Sequence, residues 1–356
     1  MTTSKKTHYL KGFEGHIENC IGVTQIPLGL VKKLQVNGLN ANGFYDIPLS
    51  TTEGALVASY SRGAKAITES GGAQVICVEE NVQRCPVFKF KNVNHAYEFS
   101  KWIEGLFSEF EEITKQKSRF AKLKNFKTTL EGNLCYVTFN FSTGDASGQN
   151  MTTFCTESFC FYIIENSLIN IENWYIDGNF SGDKKATHQS FIETRGKRVI
   201  ADVVLPKDIV NNLLRTTPQN MVNYWIASIS GSLQSGSIGA NGHYANGLAA
   251  LFIATGQDVA CVAESAIGIT RMQLTDENDL YVSVTLPNLM VGTVGGGTSL
   301  SSQKSNLEIM NCAGENKAKE FAEVATALLL AGEISITAAI SGGHFVRAHQ
   351  LFGRKK

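Results

Sequence analysis

Between Ala96 and Thr114, apolar residues recur at steps of three and four. Phe99, Trp102, Ile103, Leu106, Phe107, Phe110 and Ile113 share one face at that spacing, which predicts a helix. A basic, polar stretch over 115–127 follows, and then the period changes. From Asn133 to Phe141, Cys135, Val137, Phe139 and Phe141 alternate with the more polar Tyr136, Thr138 and Asn140, the pattern of a strand. A glycine-bearing turn over 144–150 and the apolar segment 159–169 complete a compact α+β unit. It spans about residues 86–175 and lies between segments of different character.

The segment between Arg215 and Asp258 has no Asp, Glu, Lys or Arg, yet it is rich in Gly, Ser and Asn. Such a stretch is expected in a core or a subunit interface. Asp258 then arrives among small and apolar neighbours. A carboxylate buried there needs a partner charge or a shifted pKa, and the alternative is a surface residue capping the next helix. The apolar run 324–340 is interrupted by Glu333 and falls short of a membrane span.

Composition narrows the function classes. The 356 residues carry 32 basic and 32 acidic side chains, so nothing favours general binding to nucleic acid or to an anionic membrane. The length suits two or three domains. The eight cysteines stand singly, without a C-x-x-C pair, and no apolar leader follows the N-terminus. We expect reduced thiols in a cytoplasmic protein and no zinc or iron–sulfur site.

Taken one at a time, the candidate chemical residues are ambiguous. Glu53 precedes an apolar run and, taken alone, reads first as a helix-dipole carboxylate, with a chemical role as the alternative. Asp183-Lys-Lys185 reads as a solvated loop. His344 and His349, five apart, do not share a helical face, so they are not a metal pair. The stretch Val291-Gly-Thr-Val-Gly-Gly-Gly-Thr298 matches neither nucleotide-binding glycine fingerprint, although its glycines let backbone amides approach a ligand.

Their order is more informative. Glu18-Asn-Cys-Ile-Gly22, Ile26-Pro-Leu-Gly29, Thr51-Thr-Glu-Gly-Ala-Leu-Val-Ala-Ser59, Gly144-Asp-Ala-Ser-Gly-Gln-Asn-Met151 and Gly182-Asp-Lys-Lys185 come first. Gly236-Ser-Ile-Gly239 with Asn246, Gly256-Gln-Asp258, Gly292–Thr298, and Gly343-His344 with His349 follow. From about Glu18 onward this series resembles the biosynthetic, NADPH-dependent hydroxymethylglutaryl-CoA reductases, in a soluble, prokaryote-like form without the eukaryotic membrane anchor.

The resemblance implies an α+β fold: a large domain (1–85 and 176–340) around a central helix binds substrate and CoA. A small ferredoxin-like NADPH-binding domain (86–175) is inserted in it, and a mobile catalytic tail (341–356) follows. It also implies an intertwined homodimer, or a tetramer, with active sites between subunits. The implied reaction, a step of the mevalonate route to isoprenoids, takes hydroxymethylglutaryl-CoA to mevalonate and free CoA with two NADPH. Lys184 is matched to the cation that stabilises the oxyanion, and Asp258 to the carboxylate holding the Lys184–Glu53 network. Glu53, with a pKa raised by burial, is matched to the acid for the aldehyde step, and His349 to the acid that protonates the departing thiolate.

For NADPH, Ser118 and Arg119 are matched to the 2′-phosphate grip, and Asp145, Ser147 and Asn150 to a dinucleotide-contacting turn. Gly295 and Gly296 belong to the glycine-rich stretch. Ser59, Arg62, Lys65 and Arg215 resemble CoA contacts, while His243, Asn246 and His344 belong with the acyl-CoA site. Arg84 and Lys185 match two members of a clamp for the substrate's distal carboxylate. In that clamp Asp177 stands where the family has Ser, and no Lys occurs near Ser228, where a second one is expected. A different acyl-CoA is therefore an alternative substrate, and a non-catalytic CoA- or nucleotide-binding homologue is a further alternative. Lys355 stands where eukaryotic members carry a phosphorylated Ser, so that regulation is expected to be missing.

Overall fold

A computed structural model describes Phe13 and residues 15–346 of the chain. His349 and Lys355 lie outside the described residues. The chain begins with an antiparallel pair, β1 (Leu28–Gly38) and β2 (Asn42–Ser50), followed by α1 (Leu56–Glu69). Strand β3 (Ala73–Arg84) then runs through two sheets. Its first part pairs with β1 in parallel and with β8 (Gly196–Leu205) antiparallel, and its last residues, Val82–Arg84, pair with β6 (Leu134–Ser142). One continuous strand thus carries Arg84 from the large sheet into the smaller one.

The smaller sheet adds β4 (Val87–Lys89), β5 (Lys122–Glu131) and β7 (Asn173–Tyr175). It packs on α2 (Val93–Ile103), α3 (Phe107–Lys117) and α4 (Gln149–Asn166). Its core is aromatic, with Phe88, Phe90, Phe99, Phe110, Phe139, Phe141 and Phe159 all fully buried. Tilted and edge-on ring pairs fill this volume. The expected apolar face of β6 is buried as the alternation requires. On its polar face Thr138 and Asn140 are buried too, and Asn140 bonds Asn81, Gln83 and Asn125 and so ties β3, β5 and β6 together. The single helix expected over 96–114 is broken by a 3₁₀ turn at Glu104–Leu106, where Gly105 lowers the preference for a continuous helix. The apolar segment 159–169 is largely the end of α4, and the polar stretch over 115–127 contains the start of β5.

The large sheet is completed by β9 (Ile269–Leu274) and β10 (Leu280–Leu289). The uncharged segment forms α5 (Pro218–Gln234) and α6 (Tyr244–Thr255), and it divides in burial. Most of α6 is enclosed, whereas α5 buries only Pro218 and Met221 within one chain. After α7 (Ser301–Ile309) comes the 24-residue α8 (Ala318–Ser341), packed against α1, α6 and the sheet. It is long and apolar enough to cross a membrane (mean hydropathy 1.7), but 83% of its apolar window is buried inside the protein. This makes it the central core helix. Its crossing with α1 is so close that a Cβ on Gly63 would fall on the Ala331 carbonyl.

Candidate active site

Two clusters of the expected residues form, on different parts of the surface. In the first, Gly182 (φ +70°) turns the chain after β7, and Lys184 adopts a left-handed backbone conformation with φ +55°, uncommon for a residue bearing a Cβ. Its ammonium donates to Asp258 Oδ2 at 2.9 Å. That hydrogen bond raises the Lys184 pKa despite partial burial, keeping the group cationic. Asp258 also caps the following turn by accepting from the Ala260 amide at 3.1 Å. The expectation of a buried carboxylate is corrected here: the side chain is 39% exposed, because it sits at the mouth of a cleft.

Both partners are held from behind by Arg195, whose side chain is only 2% exposed. Its guanidinium bonds Asp183 at 2.6 Å and Glu264 at 3.0 Å, joining the loop that carries Lys184 to the helical turn after Asp258. Sequence reasoning missed Arg195 and Glu264. Arg195 stands in the charged run Glu193-Thr-Arg-Gly-Lys-Arg198, which reads as solvated, and the available signal for Glu264 was a single charge in an apolar segment.

The cleft beside Asp258, about 590 Å³, is walled by Lys117, Ser118, Ser147, Asn150 and the Gly292–Thr298 loop. Gly256 and Gly297 are needed here for close approach, since a Cβ on either would strike the other's backbone. Gly295 and Gly296 have positive φ and open space where a side chain would be. Ser118 ends α3 and accepts from the Phe120 and Ala121 amides. With Arg119, Lys115 and Lys122 it also lines an adjoining cavity. Asp145 has another task in the structure. Its carboxylate accepts from the Asn316 and Ala318 amides, fastening the 144–150 turn to the start of α8.

The second cluster lies at the N-terminus of α1. Glu53 Oε2 accepts from Asn246 Nδ2 at 2.8 Å, and both line a cavity of about 390 Å³ with Ser59, Arg62, His243 and Phe345. Glu53 is exposed, so the burial expected to raise its pKa is not supplied by a single chain. Arg62 is tied to α8 by bonds to Ser335 (2.6 and 3.1 Å), and Ser59 bonds the same Ser335 hydroxyl. Burial, and then the nearby Arg215, lower the Arg62 pKa. Lys65 lies apart, paired with Glu69 and lining a separate groove with Lys32 and Lys33. His344 caps α8 by donating its amide to Ala339 O.

No hydrogen bond or ion pair joins Glu53 to Lys184 or Asp258 among the described residues. Arg84 is already engaged: its guanidinium lies 2.7 Å from Asp177 and 3.6 Å from Asp183. Lys185 is exposed and bonds the Asp183 carbonyl.

The family model for hydroxymethylglutaryl-coenzyme A reductase matches residues 1–354 of the chain. The chain belongs to this family. Among its relatives, the 3-hydroxy-3-methylglutaryl-coenzyme A reductase of Pyrococcus horikoshii is 44% identical over 95% of this chain and 84% of that protein. The Methanocaldococcus jannaschii enzyme of the same name is 43% identical over 95% and 85%. A solved structure of the class II 3-hydroxy-3-methylglutaryl-CoA reductase from Streptococcus pneumoniae, bound to NADPH in open conformations, superposes with a TM-score of 0.75. It covers 92% of this chain and 88% of that one at 19% identity, a likeness of fold.

Proposed function

We propose that this member of the hydroxymethylglutaryl-CoA reductase family reduces hydroxymethylglutaryl-CoA to mevalonate and free CoA with two NADPH. The observation that carries the reading is the Lys184–Asp258 pair at the mouth of a glycine-walled cleft, in a chain matching the family over its length. The cleft's donors suit an anionic dinucleotide. Gly295 and Gly296 leave backbone unshielded, and Lys115, Ser118, Arg119 and Lys122 supply cations and a hydroxyl beside it. Residues 86–175 form the NADPH-binding unit in this reading, and NADPH supplies the hydride in each reduction.

The chain's own residues handle charge and protons. Lys184 holds the negative charge that develops on the thioester oxygen, and Asp258 keeps the ammonium aimed and charged. Glu53, oriented by Asn246, gives a proton to the aldehyde oxygen, and His349 protonates the departing thiolate. Because Glu53 and Lys184 do not meet within one chain, a second copy completes the site. Exposed apolar residues on α5 and after it (Ile226, Leu233, Ile238), and on the outer face of the large sheet (Ile76, Ile200, Val204), support that pairing. The unpaired state of all eight thiols supports a reducing compartment such as the cytoplasm.

Replacing Ser118 and Arg119 together with Ala is expected to lower kcat/KM for NADPH by about 10–100-fold, the value of one or two charge-assisted bonds, with NADH little changed. Unaltered NADPH preference in the spectrophotometric assay removes these residues from the phosphate grip.

The Asp177–Arg84 ion pair supports a second reading, the same chemistry on an acyl-CoA without a distal carboxylate. Turnover on hydroxymethylglutaryl-CoA and on acyl-CoAs lacking that group decides between them. Preference for the dicarboxylic substrate supports the first reading, and its absence supports the second. Under the first, Asp177→Ser removes the nearer of the two carboxylates on the guanidinium and is expected to lower KM for hydroxymethylglutaryl-CoA by about tenfold.

A further inference from the structure

Glu333, on the turn of α8 just before the residues lining the Glu53 cavity, is 1% exposed, yet its carboxylate accepts four hydrogen bonds. Oε2 takes the Gly242 amide and the Thr270 hydroxyl, both at 2.7 Å, and Oε1 takes the His243 amide at 2.8 Å. The fourth donor is His243 Nδ1, 3.3 Å from Oε1. Burial alone pushes the Glu333 pKa up, but the bonds from His243, Thr270 and Gly242 outweigh it and hold the group below its ordinary value, ionised. An ionised carboxylate only accepts, so Nδ1 must carry a proton. His243 is the one ion-pairing partner of Glu333 among the described residues. The imidazole ring lies nearly parallel to Tyr60, with centroids 5.4 Å apart and planes at 13°. With Nδ1 turned to the core and the ring held, Nε2 is the nitrogen left to serve the cavity that holds Glu53 and Asn246.

We propose that Glu333 is a positioning residue for the reduction. It fixes His243 with its proton on Nδ1 and so commits Nε2 to exchanging a proton or hydrogen bond with the acyl-CoA beside Glu53. The proposal rests on the reductase reading for its catalytic part, and on the donors that surround an ionised Glu333 for the tautomer. The other titratable groups facing the pair are Glu53, with Tyr60 and Arg62 on α1 and Tyr244 on α6.

Two measurements on the full-length protein test it. In ¹⁵N-detected histidine spectra of the unmodified protein, the His243 resonances are identified by their loss in His243→Gln. In the neutral ring they are expected to report a proton on Nδ1 and a bare Nε2. The opposite tautomer overturns the proposal without reference to activity or to any Glu333 variant.

In the second, Glu333→Gln places an NH₂ among backbone donors and removes the charge. We expect kcat with hydroxymethylglutaryl-CoA to fall by about 10–100-fold, part of the roughly 10²–10⁴-fold that a general acid–base group contributes, because the imidazole stays in place without its orienting partner, with KM changed less than threefold. The double variant with His243→Gln is expected to lose no more than the worse single variant. Additive losses, or an unchanged kcat, overturn the positioning role. If the unmodified protein oxidises no NADPH with this substrate, the reductase reading fails instead, and the tautomer measurement still judges the Glu333–His243 pair.

Discussion

Lys184→Met is expected to lower kcat for hydroxymethylglutaryl-CoA by about 10²–10³-fold, the loss typical of removing one preorganised stabiliser of an oxyanion. Methionine keeps the length and most of the volume of lysine and removes only the charge. The partner left behind, Asp258, is 39% exposed and still accepts from the Ala260 amide, so water can solvate it. A pair this exposed contributes little to stability, about 0–1 kcal/mol, so the melting temperature is expected to move by a few degrees at most. Large kinetic loss with small thermal loss is the signature of a group acting on the reaction. The left-handed conformation at position 184 sharpens the contrast, since the strain persists in the variant while the chemistry goes. Steady-state NADPH oxidation beside a thermal melt makes the check, and a kcat within threefold of the unmodified enzyme excludes Lys184 as the oxyanion's cation.

Elements with strong local periodicity were legible. The alternation at 135–141 became β6, and the seven apolar positions over 99–113 all fall on α2, α3 or the turn between them. Where tertiary contacts outweighed local pattern, the reading went astray. The 3₁₀ break at Glu104–Leu106 leaves no trace in the hydrophobic spacing, and β5 hides in a lysine-rich stretch because β6 supplies its pairing. The ordered motifs singled out Lys184, Asp258, Glu53 and Asn246, and these residues associate in two pairs.

The supporting charges were harder to see. Glu323 and Glu333 sit in an apolar helix and resemble interruptions. In the fold each is a cap, Glu323 for the amides of Asn40, Ala41 and Cys77, and Glu333 for those of Gly242 and His243. A carboxylate inside an apolar run needs partners, and here most are backbone amides distant in sequence, which no local pattern discloses. The reasoning applied to Asp258 would have flagged them as engaged without naming their partners. Asp145 was legible as part of a glycine-bearing turn, but its bond to the Asn316 amide just ahead of α8 depends on a contact across 171 residues.

Co-expressing Glu53→Gln with Lys184→Met is expected to restore activity that neither variant has alone. Each group already has its own partner, Asn246 for Glu53 and Asp258 for Lys184, and the two pairs line or flank separate cavities. Proton donation and oxyanion stabilisation must nevertheless act on one carbonyl carbon and its oxygen, within hydrogen-bonding reach. A two-fold apposition meets that demand, because it brings one copy's Glu53 to the other's Lys184 twice over. A heterodimer of the two variants then has one site with both defects and one with neither. Half of randomly mixed dimers are heterodimers, so the mixture is expected to recover about a quarter of the unmodified activity, against about 1% or less for each variant alone. A site built within one chain leaves every copy defective and recovers nothing above the separate variants. The poorly buried α5 predicts the structural side of the result. Covering Ile226 and Leu233 would contribute to an interface of at least ~1,200 Å², enough to keep the copies paired through purification. A mixture that sediments as a dimer and still shows no recovery would leave Glu53 and Lys184 working in one chain, or not working on the same substrate.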